Sequence, residues 1–362
     1  MSGPAHALRP GWILGPRADV AIFTGPLVLA GAIVALAWRN GTLHADMPPW
    51  MFAALIVACD VAHVWATAFR VYLDPERFKR RPGLFVGIPV ACFAVGAVLY
   101  GIGSDVFWRA LAYLAVWHFV RQQWGWVAYT RARAGEGDVD RRLDQATLYA
   151  ITLYPVLFWH AHLPRAFQWF VQGDFVHVPA ALERGGAVVH WAIVAVFCAR
   201  QVQRAFGGAG VNVAKLHVLG TTFVAWYGGI VALDSDIAFT AFNVLSHGIP
   251  YLAVVWSVER DRAQRHTTPF ARFFRPRLAI LFLAVLVLVG YAEEWLWDGL
   301  VWRDHPGLFP FGPEGPAPEW ALALVVPLLA VPQATHYALD GWLWRRAANP
   351  DVGEWVARSK RV

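Results

Sequence analysis

Apolar stretches about as long as a bilayer is thick recur along this chain from residue 20 to residue 344, separated by short polar loops. A backbone inside hydrocarbon must satisfy its own hydrogen bonds, so stretches of roughly 20 apolar residues read as spanning helices. Ten spans are expected, near 20–38, 50–70, 84–103, 107–130, 144–163, 187–205, 214–233, 236–258, 277–299 and 320–344. Composition agrees: 57% of residues are hydrophobic and only 15% charged, with a mean hydropathy of +0.42. The expected fold is therefore an all-α polytopic transmembrane helix bundle forming one integral membrane domain over residues 1–362, with no room for a soluble catalytic domain. The N-terminal apolar run is too short for a removable signal peptide and lacks a small-residue cleavage site, so the first span is the expected insertion signal.

Loop charges test that count. Twenty-five Lys and Arg side chains fall on one side of the expected bundle, in the N-terminal segment, after spans 2, 4, 6 and 8, and in the tail. The opposite loops hold Arg39, Arg109, Arg165, Arg184 and Arg303, and Arg121 lies within a span. The positive-inside rule then puts both termini and the basic side in the cytoplasm of a cell whose inner membrane carries the protein. The net charge of +6 is accounted for by this bias and by anionic headgroups, so membrane lipids are expected partners and nucleic acid is not. Segment 260–277 could also take headgroups or a cytosolic partner, and no oligomeric state is indicated.

No P-loop, dinucleotide fingerprint or nucleophile elbow occurs, so ATP-driven transport and serine hydrolysis lose their usual supports. Cys59, Cys92 and Cys198 fall within spans with no CxxC spacing and read as small buried hydrophobes.

Histidine carries the informative chemistry. His63, His118, His247 and His336 sit on spans 2, 4, 8 and 10, which the charge map runs in the same direction. An imidazole at such depth is costly unless it faces protein groups. Each lies on a polar stripe at helical spacing: Asp60 and Thr67 beside His63, Arg121 and Gln122 beside His118, Asn243 and Tyr251 beside His247, and Gln333 and Asp340 beside His336. Residues 60, 122, 243, 251 and 340 are the expected supporting partners, with Asp60 and Asp340 able to ligate or to orient a ring. The histidines precede the basic residues that end their helices by seven to thirteen positions, a depth of roughly 10–20 Å at 1.5 Å per residue. One metal, or two close together, fits that arrangement.

His217 is a candidate fifth ligand, whereas His160, His162, His177 and His190 read as water-accessible histidines of the opposite interface and His6, His44, His266 and His305 as loop residues. Arg70, Arg121 and the Tyr129/Arg131 pair are candidate clamps for a substrate or headgroup, with snorkelling an equal account of Arg70 and Arg131. The stretch EEWLWDGLVW at 293–302 reads as an aromatic belt with solvated acids. Imidazoles with carboxylates suit non-haem iron, zinc or copper, and the lack of thiolate or methionine clusters argues against copper transfer.

Single histidines dispersed over several membrane helices, with carboxylates nearby, resemble the Brp/Blh family of β-carotene-cleaving membrane oxygenases. The resemblance covers the arrangement at His63, His118, His247 and His336; no HxxH or HxxxH pair is present, so desaturase histidine boxes are not matched. The stretches HFVRQQWG and THYALDGWLWR also look like motifs of uncharacterised bacterial polytopic proteins. The resemblance implies iron bound by histidines and cleavage of a polyene.

The expected function is that of an iron-dependent membrane oxygenase or related oxidoreductase acting on a hydrophobic small molecule such as a lipid or polyene. Haem or another transition metal stays open as cofactor. A haem protein pairing His118 with His247, a proton-coupled transporter using Asp60, Arg121, His247, Asp340 and Glu294, and a subunit without catalysis are the rival readings.

Overall fold

The computed structural model describes residues 11–265, 271–310 and 317–358, and their regular structure is entirely helical. His6, His266, Arg9, Lys360 and Arg361, and the side chain of Arg272, lie outside the described residues, as does part of segment 260–277.

Among the described residues, ten long helices overlap the expected stretches. They are α1 (Pro16–Arg39), α2 (Pro49–Arg70), α3 (Pro82–Ile102), α4 (Ser104–Ala134), α5 (Arg141–Ala161), α6 (Ala180–Phe206), α7 (213–232), α8 (Asp236–Ala263), α9 (Pro276–Trp302) and α10 (Glu319–Leu343). Seven of them, all but α4, α5 and α7, are long and apolar enough to cross a membrane. The three exceptions each bury some of their polar residues: Gln122, Gln123 and Arg131 on α4, Asp144 on α5 and Lys215 on α7 are buried. Hydropathy alone undercounts helices that pack polar side chains against protein.

The same logic sorts inside from outside. About 72% of the apolar window of α8 is buried and 56% of that of α2, against 11% for α3 and 17% for α6. α8 and α2 are therefore central, whereas α3 and α6 lie at the rim. In the centre, α2 packs on α8, α9 and α10, while α4 packs on α3, α5, α7 and α10.

Two local features bring the centre together. Residues Ala53–Val61 of α2 form a π-helical segment that ends two residues before His63. Against it lies Gly248 of α8, where a Cβ would stand 2.7 Å from the Cys59 sulfur and 2.8 Å from the Cys59 carbonyl oxygen. Only a glycine lets α8 approach so closely, and its chain neighbour is His247. At its end α4 is closed by Gly135 in the left-handed region (φ 66°), with Glu136 N donating to Arg131 O at 3.0 Å.

Candidate metal centre

His63, His118, His247 and His336 meet at one point. Each offers a nitrogen, and the four nitrogens lie within 4.8 Å of one another. His63 is 1% exposed, His118 5%, and His247 and His336 0%. The Nε2 atoms of His63 and His247 are 3.0 Å apart, and those of His118 and His336 3.2 Å. Adjacent ring centroids are separated by 4.6–5.1 Å around the group.

The unequal depths expected along the helices disappear for a simple reason. Both α4 and α8 run sixteen residues past their histidine, whereas α2 and α10 run seven. The first two project further toward the basic end, and the histidines are level.

The rings are held from behind. Thr67 Oγ1, on the helix of His63, lies 2.7 Å from Nδ1 of His336 and 3.3 Å from the Tyr251 hydroxyl. Tyr251 in turn donates to Asp340 Oδ1 at 2.8 Å, and that carboxylate is 3.8 Å from His336 Nδ1. Asp60 Oδ1 is 3.6 Å from His63 Nδ1. Phe119 lies flat on His247 at 3.6 Å and 4°, and Tyr337 stacks on His118 at 4.6 Å. Nδ1 of His336 is thus held by Thr67 and that of His63 faces Asp60, while Nε2 of His63 faces that of His247 and Nε2 of His118 faces that of His336.

Two imidazole lone pairs at 3.0–3.2 Å repel unless a proton or a cation lies between them. At metal–nitrogen distances of about 2.0–2.1 Å, ligand nitrogens at 90–109° stand roughly 3.0–3.4 Å apart. The donor chemistry fits a transition metal ion, as does the spacing within each of the two pairs. Carboxylates behind metal-bound histidines orient the rings and raise their basicity, the role open to Asp60 and Asp340.

Not every candidate is part of the group. His217 shares its Nε2 with Thr24 Oγ1 at 2.7 Å and packs against Trp12 and Phe23, so it is no fifth ligand. Asn243 donates to Phe239 O on its own helix rather than to His247. Gln122 donates at 2.9 Å to the backbone carbonyl of His247, bracing α8 without touching the ring. Arg121 is exposed, bonded to Tyr149 and near the Trp117 ring, facing away from the centre.

Arg70 is neither snorkelling nor free: it is 1% exposed, with Nε 3.3 Å from Glu259 and its guanidinium 4.0 Å over Trp344. Tyr129 donates to Trp344 O, and Arg131 is buried against Asp144 and Glu136. His160 and His190, expected to reach water, are buried and bonded to Val156 O and Ala150 O. Cys59 is buried as expected, whereas Cys198 is exposed on α6. In the 293–302 stretch two of the three acids are not solvated: Glu293 and Asp298 are buried, and Glu293 accepts from Trp65 Nε1 at 2.5 Å.

Sequence spacing missed Phe119, Tyr337 and Gly248 as parts of the centre. The available signal was adjacency, since each directly follows one of the four histidines.

An apolar groove of ≈ 300 Å³ runs between α3, α4 and α10, lined by Val95, Leu99, Leu111, Leu114, Ala334 and Ala338 among others. Tyr337 belongs to the apolar cluster that contains Leu111 and Ala334, and its ring joins the groove wall to His118. A polar recess of ≈ 380 Å³ lined by His44, Asp46, Arg165, Asp174 and Asp236 shares no residue with the centre.

Comparison with family models, with curated proteins and with solved structures finds no match for this chain. What the centre does must be argued from its own residues.

Proposed function

We propose that this chain is a ten-span inner-membrane metalloenzyme with cytoplasmic termini, in which His63, His118, His247 and His336 hold one non-haem iron ion beside an apolar substrate. The convergence of four buried imidazoles from four helices within 4.8 Å carries the reading. A single buried histidine is often only a core residue; four imidazole nitrogens converging from four helices are a ready-made donor set for a transition metal ion.

Iron bound by imidazoles supplies O2 activation and one-electron chemistry. The chain supplies the rest. Thr67, Tyr251 and Asp340 fix the orientation of His336, Asp60 faces His63, and Phe119 and Tyr337 clamp His247 and His118. Burial of all four rings keeps bulk water from the reacting atoms. The groove beside Tyr337 supports a lipidic or polyene substrate, because its lining is apolar and faces the hydrocarbon zone of rim helix α3. The close packing favours non-haem iron over haem, since the His118 and His247 ring centroids are 5.1 Å apart with Phe119 flat against the latter.

Metal analysis of the purified protein tests this reading. We expect about one iron per chain and loss of that iron in each of His63→Ala, His118→Ala, His247→Ala and His336→Ala, with helix content retained. Stoichiometric zinc would remove the redox part of the proposal. Absence of any metal, with all four variants indistinguishable from the wild type, would remove the centre itself.

A further inference from the structure

Four carboxylates line up between the Arg-poor end of the bundle and the histidine group. Asp298 and Glu294 are one helical turn apart on α9, and Glu293 is the chain neighbour of Glu294. Glu293 is tied across the seam to α2, where it accepts from Trp65 Nε1 at 2.5 Å, and Asp60 lies on α2 five residues before Trp65. Asp60 Oδ1 then stands 3.6 Å from His63 Nδ1. The seam is tight because α9 presents Gly290, where a Cβ would stand 3.2 Å from Val57 O and 3.3 Å from Ala62 N. The next turn of α9 therefore presses its acids against α2.

We propose that Asp298, Glu294, Glu293 and Asp60 form the access route along which a divalent cation reaches the four-histidine centre; the proposal rests on reading that centre as a metal site.

Three observations argue for it. First, no Lys or Arg pairs with Asp60, Glu293 or Glu294 among the described residues, whereas Glu259, Asp144, Glu136 and Asp74 near the basic end are paired with arginine or lysine. Carboxylates without counterions in a low-dielectric seam take up a cation in exchange for their protons. Second, the inner end of the row is an open nitrogen: His63 Nδ1 belongs to a residue 1% exposed and has no hydrogen-bond partner, yet it faces Asp60. Third, the outer end is built. Asp298 accepts from the backbone N–H of Asp304 and of His305, each at 2.9 Å, and the His305 ring stacks on Phe52 at 3.8 Å. The loop is thereby fixed at the mouth of the row. Single carboxylates hold a transition ion weakly and four imidazoles hold it firmly, so the row has a downhill direction, from Asp298 to His63.

Cobalt(II) uptake by the metal-stripped, full-length protein at low salt tests the route, read as visible absorbance of imidazole-bound cobalt. Wild type and Asp105→Asn, which alters an exposed acid on α4, are expected to load at one rate. Glu294→Gln and Glu293→Gln are expected to load roughly tenfold more slowly, the scale of electrostatic focusing on an on-rate, and to reach the wild-type end-point spectrum. That shared end point shows that the variants fold and keep the centre. Wild-type loading rates in both variants would overturn the route and leave the centre standing. A wild type that develops no cobalt spectrum would overturn both.

Discussion

Two buried polar clusters in this molecule differ in how their charges are answered. Near the basic end, Lys215 Nζ lies 3.0 Å from both Glu136 and Asp144, Arg131 reaches Asp144 and Glu136, and Arg204 reaches Asp140 at 2.5 Å. A second set joins Arg70, Arg77 and Arg262 to Glu259, Asp74 and Asp351. In these networks anion meets cation within the protein, across the ends of α4 to α8 and the short helices Pro75–Arg80 and Pro350–Arg358. In the histidine centre, by contrast, like meets like: four imidazoles turn nitrogens toward one another. A cluster closed on itself holds helices together, and a cluster that lacks its counter-charge is built for something from outside.

The sharpest way to break this comparison is to remove one partner from the closed cluster. Asp144 is fully buried and serves both Arg131 and Lys215. Asp144→Ala leaves two buried cations, Arg131 and Lys215, sharing Glu136 alone, and the expected cost is about 3–5 kcal/mol. Thermal unfolding in detergent should register it as the largest loss among these variants, with or without metal. A His247→Ala protein should melt close to the wild-type apoprotein while binding no metal. If Asp144→Ala were neutral, the closed cluster would not be the fastening it is taken to be.

The contrast between the clusters was only partly legible in the sequence. Seven of the expected spans are helices long and apolar enough to cross a membrane, because hydropathy reads burial in hydrocarbon directly. The four histidines were legible because ionisable side chains are rare at that depth. Arg70, Arg131 and the acids at 293–298 were misjudged, since whether a charged residue at a helix end reaches solvent depends on which other ends crowd it, and that is a long-range fact. Glu259 lies 189 residues from Arg70 in the chain, and no local pattern links them. Gly248 was visible as a residue but not as a contact, because its role is set by the π-helical segment of α2 that it touches.

Gly248 yields the intermediate test. Gly248→Val adds side-chain atoms where even a Cβ would stand 2.7 Å from the Cys59 sulfur. The helices must part, at an overpacking cost of about 1–3 kcal/mol, and His247 is drawn from His63. The expected signature is a drop in cobalt affinity larger than the drop in melting temperature would imply. Retained affinity with a lowered melting temperature would show that the close approach serves packing alone.

The smallest effect tests the closed cluster by pH. Asp140 lies in the loop between α4 and α5; burial alone would raise its carboxyl, but hydrogen bonds and charge from Arg200 and Arg204 outweigh this and hold it below its ordinary 3.8. A carboxyl depressed in the folded state binds its proton less readily than in the unfolded chain. Its contribution to stability is therefore complete at pH above 3.8 and is lost as pH falls through the lower folded value. Because Arg200 is partly exposed, the contribution is under about 1 kcal/mol. Asp140→Asn should lower the melting temperature slightly at pH 7, and the gap to wild type should close as the pH is taken below 3.8. A gap that persists unchanged at low pH would mean that shape, not charge, ties this loop to Arg204, and the closed cluster would then be smaller than its ion pairs imply.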